Sequence, residues 1–372
     1  MKKKLLTNGV LFSENAFDLR NETNGFGLLN GYAGIAIIYY LLAKQNKEKA
    51  FEEKGLYLLE WISECGASIG DIGFGKGLAG IGWSIEWLVQ NELMGDTNTD
   101  EILEPIDNVL YNAVSYNKDN NPSLFNGTIG KIAYFLRRAM SCNPGTHRFK
   151  TIGHLECLVL LIDDLANMMC RAKITSDISK ENHETSEQNI SISLSNLGEI
   201  LTSITAINVH TNTPTLGVIL FDSIKYTEAI LSDIAINSIT ANDSQNNNYF
   251  EFLYLAVCYL IAAKNQDNKY WESKATSHIQ RLVSIYDKNN NMLSFEQLFQ
   301  KLAIYSLLNV HLPSLHYRKE IENLLAILSV IEMPFTLFNG RGALVIAEIC
   351  LINPGLIKNW HELMFFDPYP SV

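Results

Sequence analysis

Large apolar residues along this chain recur at steps of three and four rather than alternating. In the stretch that begins at Gly77, the positions Leu78, Ile81, Ile85 and Leu88 fall on one wide stripe of a helix. The same period runs through Tyr32–Lys44, Phe51–Glu64, Ile102–Val114, Ile129–Met140, His154–Cys170 and Leu194–Ile207. It continues through Val218–Ile230, Tyr249–Ala263, Trp271–Ile285, Phe295–Leu308, Lys319–Ile331, Ala343–Ile352 and Trp360–Phe366. The pattern predicts fourteen helices and no strand, an all-α chain. Two stretches lack the period. Lys173–Gln188 is rich in Ser, Thr, Glu and Lys, and Ala241–Asn248 is rich in Asn. The first predicts a polar surface loop near 173–190 inside a single domain spanning 1–372, not a domain boundary.

A repeat organises the helices. Leu29-Asn30-Gly31-Tyr32-Ala33-Gly34, Gly77-Leu78-Ala79-Gly80 and Phe125-Asn126-Gly127-Thr128-Ile129-Gly130 each place two glycines three apart where an apolar helix begins. A fourth copy, Leu337-Phe338-Asn339-Gly340-Arg341-Gly342, is one residue shorter. The first glycines are separated by 46, 50 and 213 residues, and the last gap spans four periods of about 53, leaving room for three degenerate repeats between. Seven helix pairs then account for the chain. Packing is the leading reason for the glycines, because a missing Cβ lets converging helix starts crowd together. The compatible functional reading is a shared mouth where free helix N–H groups receive an anion or a peptide. Its polar members are Asn30, Asn126, Asn339 and Arg341.

Composition narrows the function classes. Forty acidic against 29 basic side chains give a net charge of −11 and a sequence pI of 5.3, with no basic stripe to neutralise phosphates, so nucleic acid is set aside. The longest apolar run, Phe252–Ala263, has 12 residues where a membrane-spanning helix needs about 20. Met1-Lys2-Lys3-Lys4 resembles the start of a signal peptide, but Thr7-Asn8-Gly9 interrupts it before an apolar region develops, and a cytoplasmic location is expected. Six cysteines without a C-x-x-C pair fall mostly in apolar segments, as reduced core thiols do.

No hydrolase, metalloprotease, P-loop or dinucleotide signature is present. Gly73-Phe74-Gly75-Lys76-Gly77 lacks the spacing and the preceding strand of a phosphate cradle. His154 and Cys157 share a helix face but make only two metal ligands in an apolar stretch, and a buried structural pair is the better reading. His311 and His316, around Pro313, are a weaker signal, while Asp163-Asp164 and Glu52-Glu53 read as solvated surface.

With the repeats laid out, Gly77–Asn91 resembles the second repeat of lanthionine synthetase C-like proteins, the cyclase family of lantibiotic biosynthesis. Leu28–Leu41, Leu124–Tyr134 and Leu337–Leu363 are similar to its first, third and last repeats. The resemblance implies an α/α toroid of seven inner and seven outer helices. It also implies a zinc ion held by a Cys in a Trp-Cys-Tyr-Gly stretch of the fifth repeat and by a Cys-His-Gly stretch of the sixth. That zinc would turn a peptide thiol into the thiolate that adds to a dehydroamino acid. A His before a Gly in the fourth repeat would be the acid/base group. Here those repeats read Asn248-Tyr249-Phe250-Glu251, Ser294-Phe295-Glu296 and Ser195-Asn196-Leu197, and Cys258 lies about nine residues past the ligand position. The expectation is therefore a zinc-free relative, with no cofactor, that binds a precursor peptide or a companion lanthipeptide dehydratase. An active thioether-forming cyclase with rearranged ligands and a carbohydrate-active α/α barrel are the alternatives.

Overall fold

In the computed structural model, residues 25–95, 97–141, 143, 148–172, 192–211, 213–237, 246–286, 293–357 and 360–366 are described. The polar loop expected near 173–190 lies outside them apart from its flanks, as does the start of the chain.

Helices with little polar surface form the inner layer. They are α1 (Tyr32–Asn46), α3 (Leu78–Gln90), α6 (Thr128–Ala139), α8 (Leu194–Asn208), α10 (Asn246–Asn265), α12 (Phe295–His311) and α14 (Arg341–Ile352). In α1 every residue from Tyr32 to Leu42 is buried, as expected for a helix covered on all sides. The remaining helices form the outer layer. They are α2 (Lys49–Cys65), α5 (Glu104–Tyr116) preceded by the one-turn α4 (Thr99–Ile102), α7 (Arg148–Arg171), α9 (Pro214–Asn237), α11 (Lys269–Tyr286) and α13 (Leu315–Leu328). Helix α1 packs on α3, α3 on α6, α6 on α8, α8 on α10 and α10 on α12, while α14 returns to α1. The ring is the expected α/α toroid. The last predicted segment, Trp360–Phe366, is a 3-10 turn at Trp360–Leu363 wedged against α12 and α14, followed by non-helical chain. The Asn-rich stretch also differs from expectation at its end, since Asn246–Asn248 open α10.

All the inner helices whose ends can be traced run the same way. Carboxy-terminal ends meet where Lys44 Nζ donates to the Asn91 carbonyl, Gln90 Nε2 to Arg137 O, Asn208 Nδ2 to Gln266 Oε1 and Lys264 Nζ to His311 O. The amino-terminal ends of α1, α3, α6 and α14 are tied by a chain of backbone bonds. Phe338 N donates to Leu29 O, Leu29 N to Gly75 O and Gly75 N to Phe125 O, at 2.8–3.0 Å.

The glycine pairs explain themselves at this rim. A Cβ on Gly34, Gly80 or Gly130 would lie 2.0, 1.8 or 2.1 Å from the carbonyl oxygen of Leu28, Phe74 or Leu124, in each case six residues earlier. The preceding Gly31, Gly77 and Gly127 meet the Gly25, Asp71 and Asn121 oxygens at 2.2–2.3 Å in the same way. The incoming loop folds back across its own helix start, and its carbonyls take the first-turn N–H groups. Tyr32 N donates to Gly25 O, Leu78 N to Asp71 O, Thr128 N to Asn121 O and Arg341 N to Pro334 O, at 2.8–3.0 Å. These first-turn N–H groups are therefore taken up by the loop carbonyls, as the packing role requires. Asn339, at φ 50°, supplies the left-handed step that the shorter fourth copy needs.

Two stability predictions follow from these contacts. Gly80→Ala should cost at least about 3 kcal/mol in urea unfolding, because the obstacle is backbone and cannot rotate away. Gly153→Ala, in α7 with nothing within 4 Å of the new methyl, should stabilise by about 0.5–1 kcal/mol. Equal effects at the two positions would sink the account of the rim.

Glu348 of α14 is buried, and neither of its carboxylate oxygens finds a hydrogen-bond partner among the described residues. Burial pushes its carboxyl up to about 7. A carboxyl raised in the folded state binds more protons there than in the unfolded chain, so stability is lost as pH rises from about 4.5 through about 7. Glu348→Gln should therefore raise stability at pH 8 by on the order of 1 kcal/mol and leave it nearly unchanged at pH 5, as read by thermal melts at the two pH values.

Candidate functional site

The ring encloses a lumen, and a cavity of about 490 Å³ within it opens toward the carboxy-terminal ends of the inner helices. Helix α6 contributes Arg137 and Met140 at its end, α8 contributes Glu199, Thr202 and the following His210, and α10 contributes Tyr254 and Cys258. His311 closes α12 at the same mouth. These are the inward positions of helices that need apolar residues on their other faces, so the lumen is lined mainly by aromatic and aliphatic groups with few polar ones.

The remaining wall is the segment Trp360–Phe366, which descends through the ring. His361 meets His311 edge to face at 5.3 Å near the carboxy-terminal mouth. Phe365 packs against Phe74, Trp83 and Phe125 at 6.0–6.3 Å, toward the glycine rim. Phe366 stacks on Tyr254 at 4.3 Å. Between them, Glu362 Oε2 accepts from Trp87 Nε1 at 3.0 Å and from the Arg137 guanidinium. Periodicity marked this stretch as a helix; its service as a lumen wall has no signal in local sequence.

Burial disfavours the charged forms of His311, His361 and Cys258 beside the cavity. Burial lowers His311 to about 4, with His361 and Lys264 adding to the effect. Burial also lowers His361, and Arg137 lowers it further while Glu362 opposes. Burial and the nearby Glu199 raise the Cys258 thiol well above its usual range, the reverse of what a nucleophile or a metal thiolate requires. Among the described residues no three His, Cys, Asp or Glu side chains converge as metal ligands. The fifth- and sixth-repeat positions serve the helices instead. Tyr249 donates to the Leu282 carbonyl, and Ser294 forms a capping box with Gln297 at the start of α12. Among the described residues, those at these positions do not fit the family's zinc.

Neighbouring the lumen, Arg138 is fully buried and meets Glu86 of α3 at 2.8 Å, Asp100 of α4 at 3.1 Å and Asp107 of α5 at 2.7 Å. Tyr134 donates to Asp107, and His154 of α7 lies 3.4 Å from the same carboxylate. Burial alone would raise Asp107, but hydrogen bonds from His154 and Arg138 outweigh it and hold the carboxyl at about 2. His154 is thus a structural partner. Cys157 beside it is a buried thiol pushed up to about 12. Arg138→Ala should cost about 3–5 kcal/mol in equilibrium unfolding, because it strands the carboxylates of Glu86, Asp100 and Asp107 on α3, α4 and α5; a loss under 1 kcal/mol would show that the cluster is solvated.

The four residues expected at a ring mouth are placed at the amino-terminal rim, the end opposite the cavity opening. Asn30 and Asn126 are exposed there, while Asn339 and Arg341 are half-buried. They surround the rim without enclosing a cavity in common. Arg341 makes no ion pair with a described residue. His311 and His316 separate, the first reaching the lumen and the second lying beside Tyr305 and Tyr317.

Comparison with known proteins agrees with this architecture. A family model described as "Lanthionine synthetase C-like protein" matches residues 22–249, more than half of the chain. The chain belongs to that family. Among solved structures it is similar to one titled "Nisin cyclase", with a TM-score of 0.60 and 13% identity over 93% of each chain, a likeness of fold. No curated protein matches the chain in sequence. No helix among the described residues is long and apolar enough to cross a membrane.

Proposed function

We propose that this protein serves lanthipeptide maturation as a zinc-free binding member of its family, receiving a segment of precursor peptide in the lumen, alone or presented by a companion dehydratase. The observation that carries this reading is the lining of the 490 Å³ cavity: Trp83, Tyr254 and Phe365 offer ring faces, while burial disfavours the charged forms of the imidazoles and thiol beside them. Such a wall suits apolar side chains of an extended peptide and activates no nucleophile. Membership of the family and the fold shared with a nisin cyclase support peptide maturation as the setting. The amino-terminal rim, with Asn30, Asn126, Asn339 and Arg341, is a second surface open to the same peptide.

Three measurements test the proposal. Elemental analysis of protein purified without chelator should find well below one zinc per chain. A dehydrated precursor peptide should quench or enhance tryptophan fluorescence through Trp83 on binding. Its count of alkylatable thiols, read by mass after alkylation, should not fall on incubation, because cyclisation is an isomerisation that consumes a thiol without changing mass. Loss of thiols, or stoichiometric zinc, would return the protein to the cyclases. Arg341→Ala tests the rim: a loss of about 1–3 kcal/mol places the peptide there, and unchanged affinity removes the rim from the site.

A further inference from the structure

Arg137 and Trp87 reach one point in the lumen wall from neighbouring inner helices, α6 and α3. Trp87 is fully buried and its Nε1 is a donor with no alternative role. The Arg137 guanidinium, its side chain only 8% exposed, lies over the Trp83 ring at 5.5 Å and gives Nη1 to Gln90 Oε1 at 2.9 Å. Gln90 is itself fixed, donating Nε2 to Glu86 Oε1 and to the Arg137 carbonyl at 2.8 and 2.9 Å. Both donors are therefore held in place whether or not an acceptor is present.

The acceptor is held differently. Glu362 is the carboxylate paired with Arg137 among the described residues, and its side chain is 32% exposed on a 3-10 turn. The turn itself is anchored through buried Trp360 and Leu363, so the Glu362 side chain can swing away while the segment stays seated. A buried guanidinium left unpaired is costly, which gives any replacement anion its driving force. Glu86, the next carboxylate along, is committed to Gln90 and Arg138.

We propose that Arg137 and Trp87 form a carboxylate-binding site in the lumen, occupied in this structure by Glu362, and that a carboxylate carried on an apolar body binds there by taking the place of Glu362. The charged group would pair with Arg137 and accept from the Trp87 indole, and the apolar body would lie in the adjoining cavity among Trp83, Leu136 and Phe365. This deepens the reading of the lumen as a peptide site, and the carboxylate would be either a free peptide carboxy terminus or an acidic side chain.

The test begins without any peptide, so that failure of the anion site and failure of peptide binding are read separately. Sodium acetate, against sodium chloride at equal ionic strength, should raise the melting temperature of Glu362→Ala saturably by about 2 °C or more. Wild type should respond far less. The double variant Glu362→Ala/Arg137→Met should not respond, and Glu362→Gln, which keeps a neutral acceptor, should respond weakly. In a second arm, N-acetylphenylalanine stands for a carboxy terminus and N-acetylglutamate α-amide for an acidic side chain. Either should perturb the tryptophan fluorescence of Glu362→Ala at concentrations at least tenfold below those of the neutral N-acetylphenylalaninamide, and the tighter of the two names the source. Acetate and chloride acting alike on Glu362→Ala, an equal response in the double variant, or no preference for either acid over the amide would each overturn the proposal.

Discussion

Four inner helices, α1, α3, α6 and α14, begin where their own incoming loops cross them, and the crossing is close enough that a carbonyl oxygen occupies the space of a Cβ. That single approach does three things at once. It supplies acceptors for first-turn N–H groups that would otherwise be buried unpaired. It brings Leu29, Gly75, Phe125 and Phe338 near enough to bond backbone to backbone around the rim. It also leaves the opposite helix ends to be joined by side chains such as Lys44, Gln90 and Asn208.

The second organising feature is a pair of adjacent arginines near the end of α6. Successive residues on a helix point about 100° apart, so Arg137 and Arg138 serve different neighbours. Arg138 turns outward and gathers Glu86, Asp100 and Asp107, binding α3 and α6 to the outer layer. Arg137 turns into the lumen and meets Glu362. Gln90 and Glu86 link the two, so the charge that fixes the wall of the ring and the charge that faces the cavity belong to one network. Such a network favours a site whose donors do not move when the acceptor changes.

The lumen then carries the functional question. Burial lowers His311 and His361 and raises the Cys258 thiol, so these groups disfavour their charged forms. At the start of α12, Ser294 caps the helix with Gln297 and Phe295 packs on Phe299.

Periodicity alone determined the helices, because burying one face at 3.6 residues per turn leaves its mark on every segment long enough to count. The glycine spacing likewise revealed the repeat, its copies and the rim, since only a missing Cβ permits that approach. Local sequence could not say whether the rim's N–H groups were free, as their acceptors are carbonyls that any residue carries. Nor could it show that Trp360–Phe366 leaves the outer layer and fills the ring, that His154 answers to Asp107, or that Glu362 meets Arg137 across 225 residues. Those pairings depend on closure of the ring, which brings the last repeat against the first three, and only the tertiary structure decides what a side chain meets at that distance along the chain.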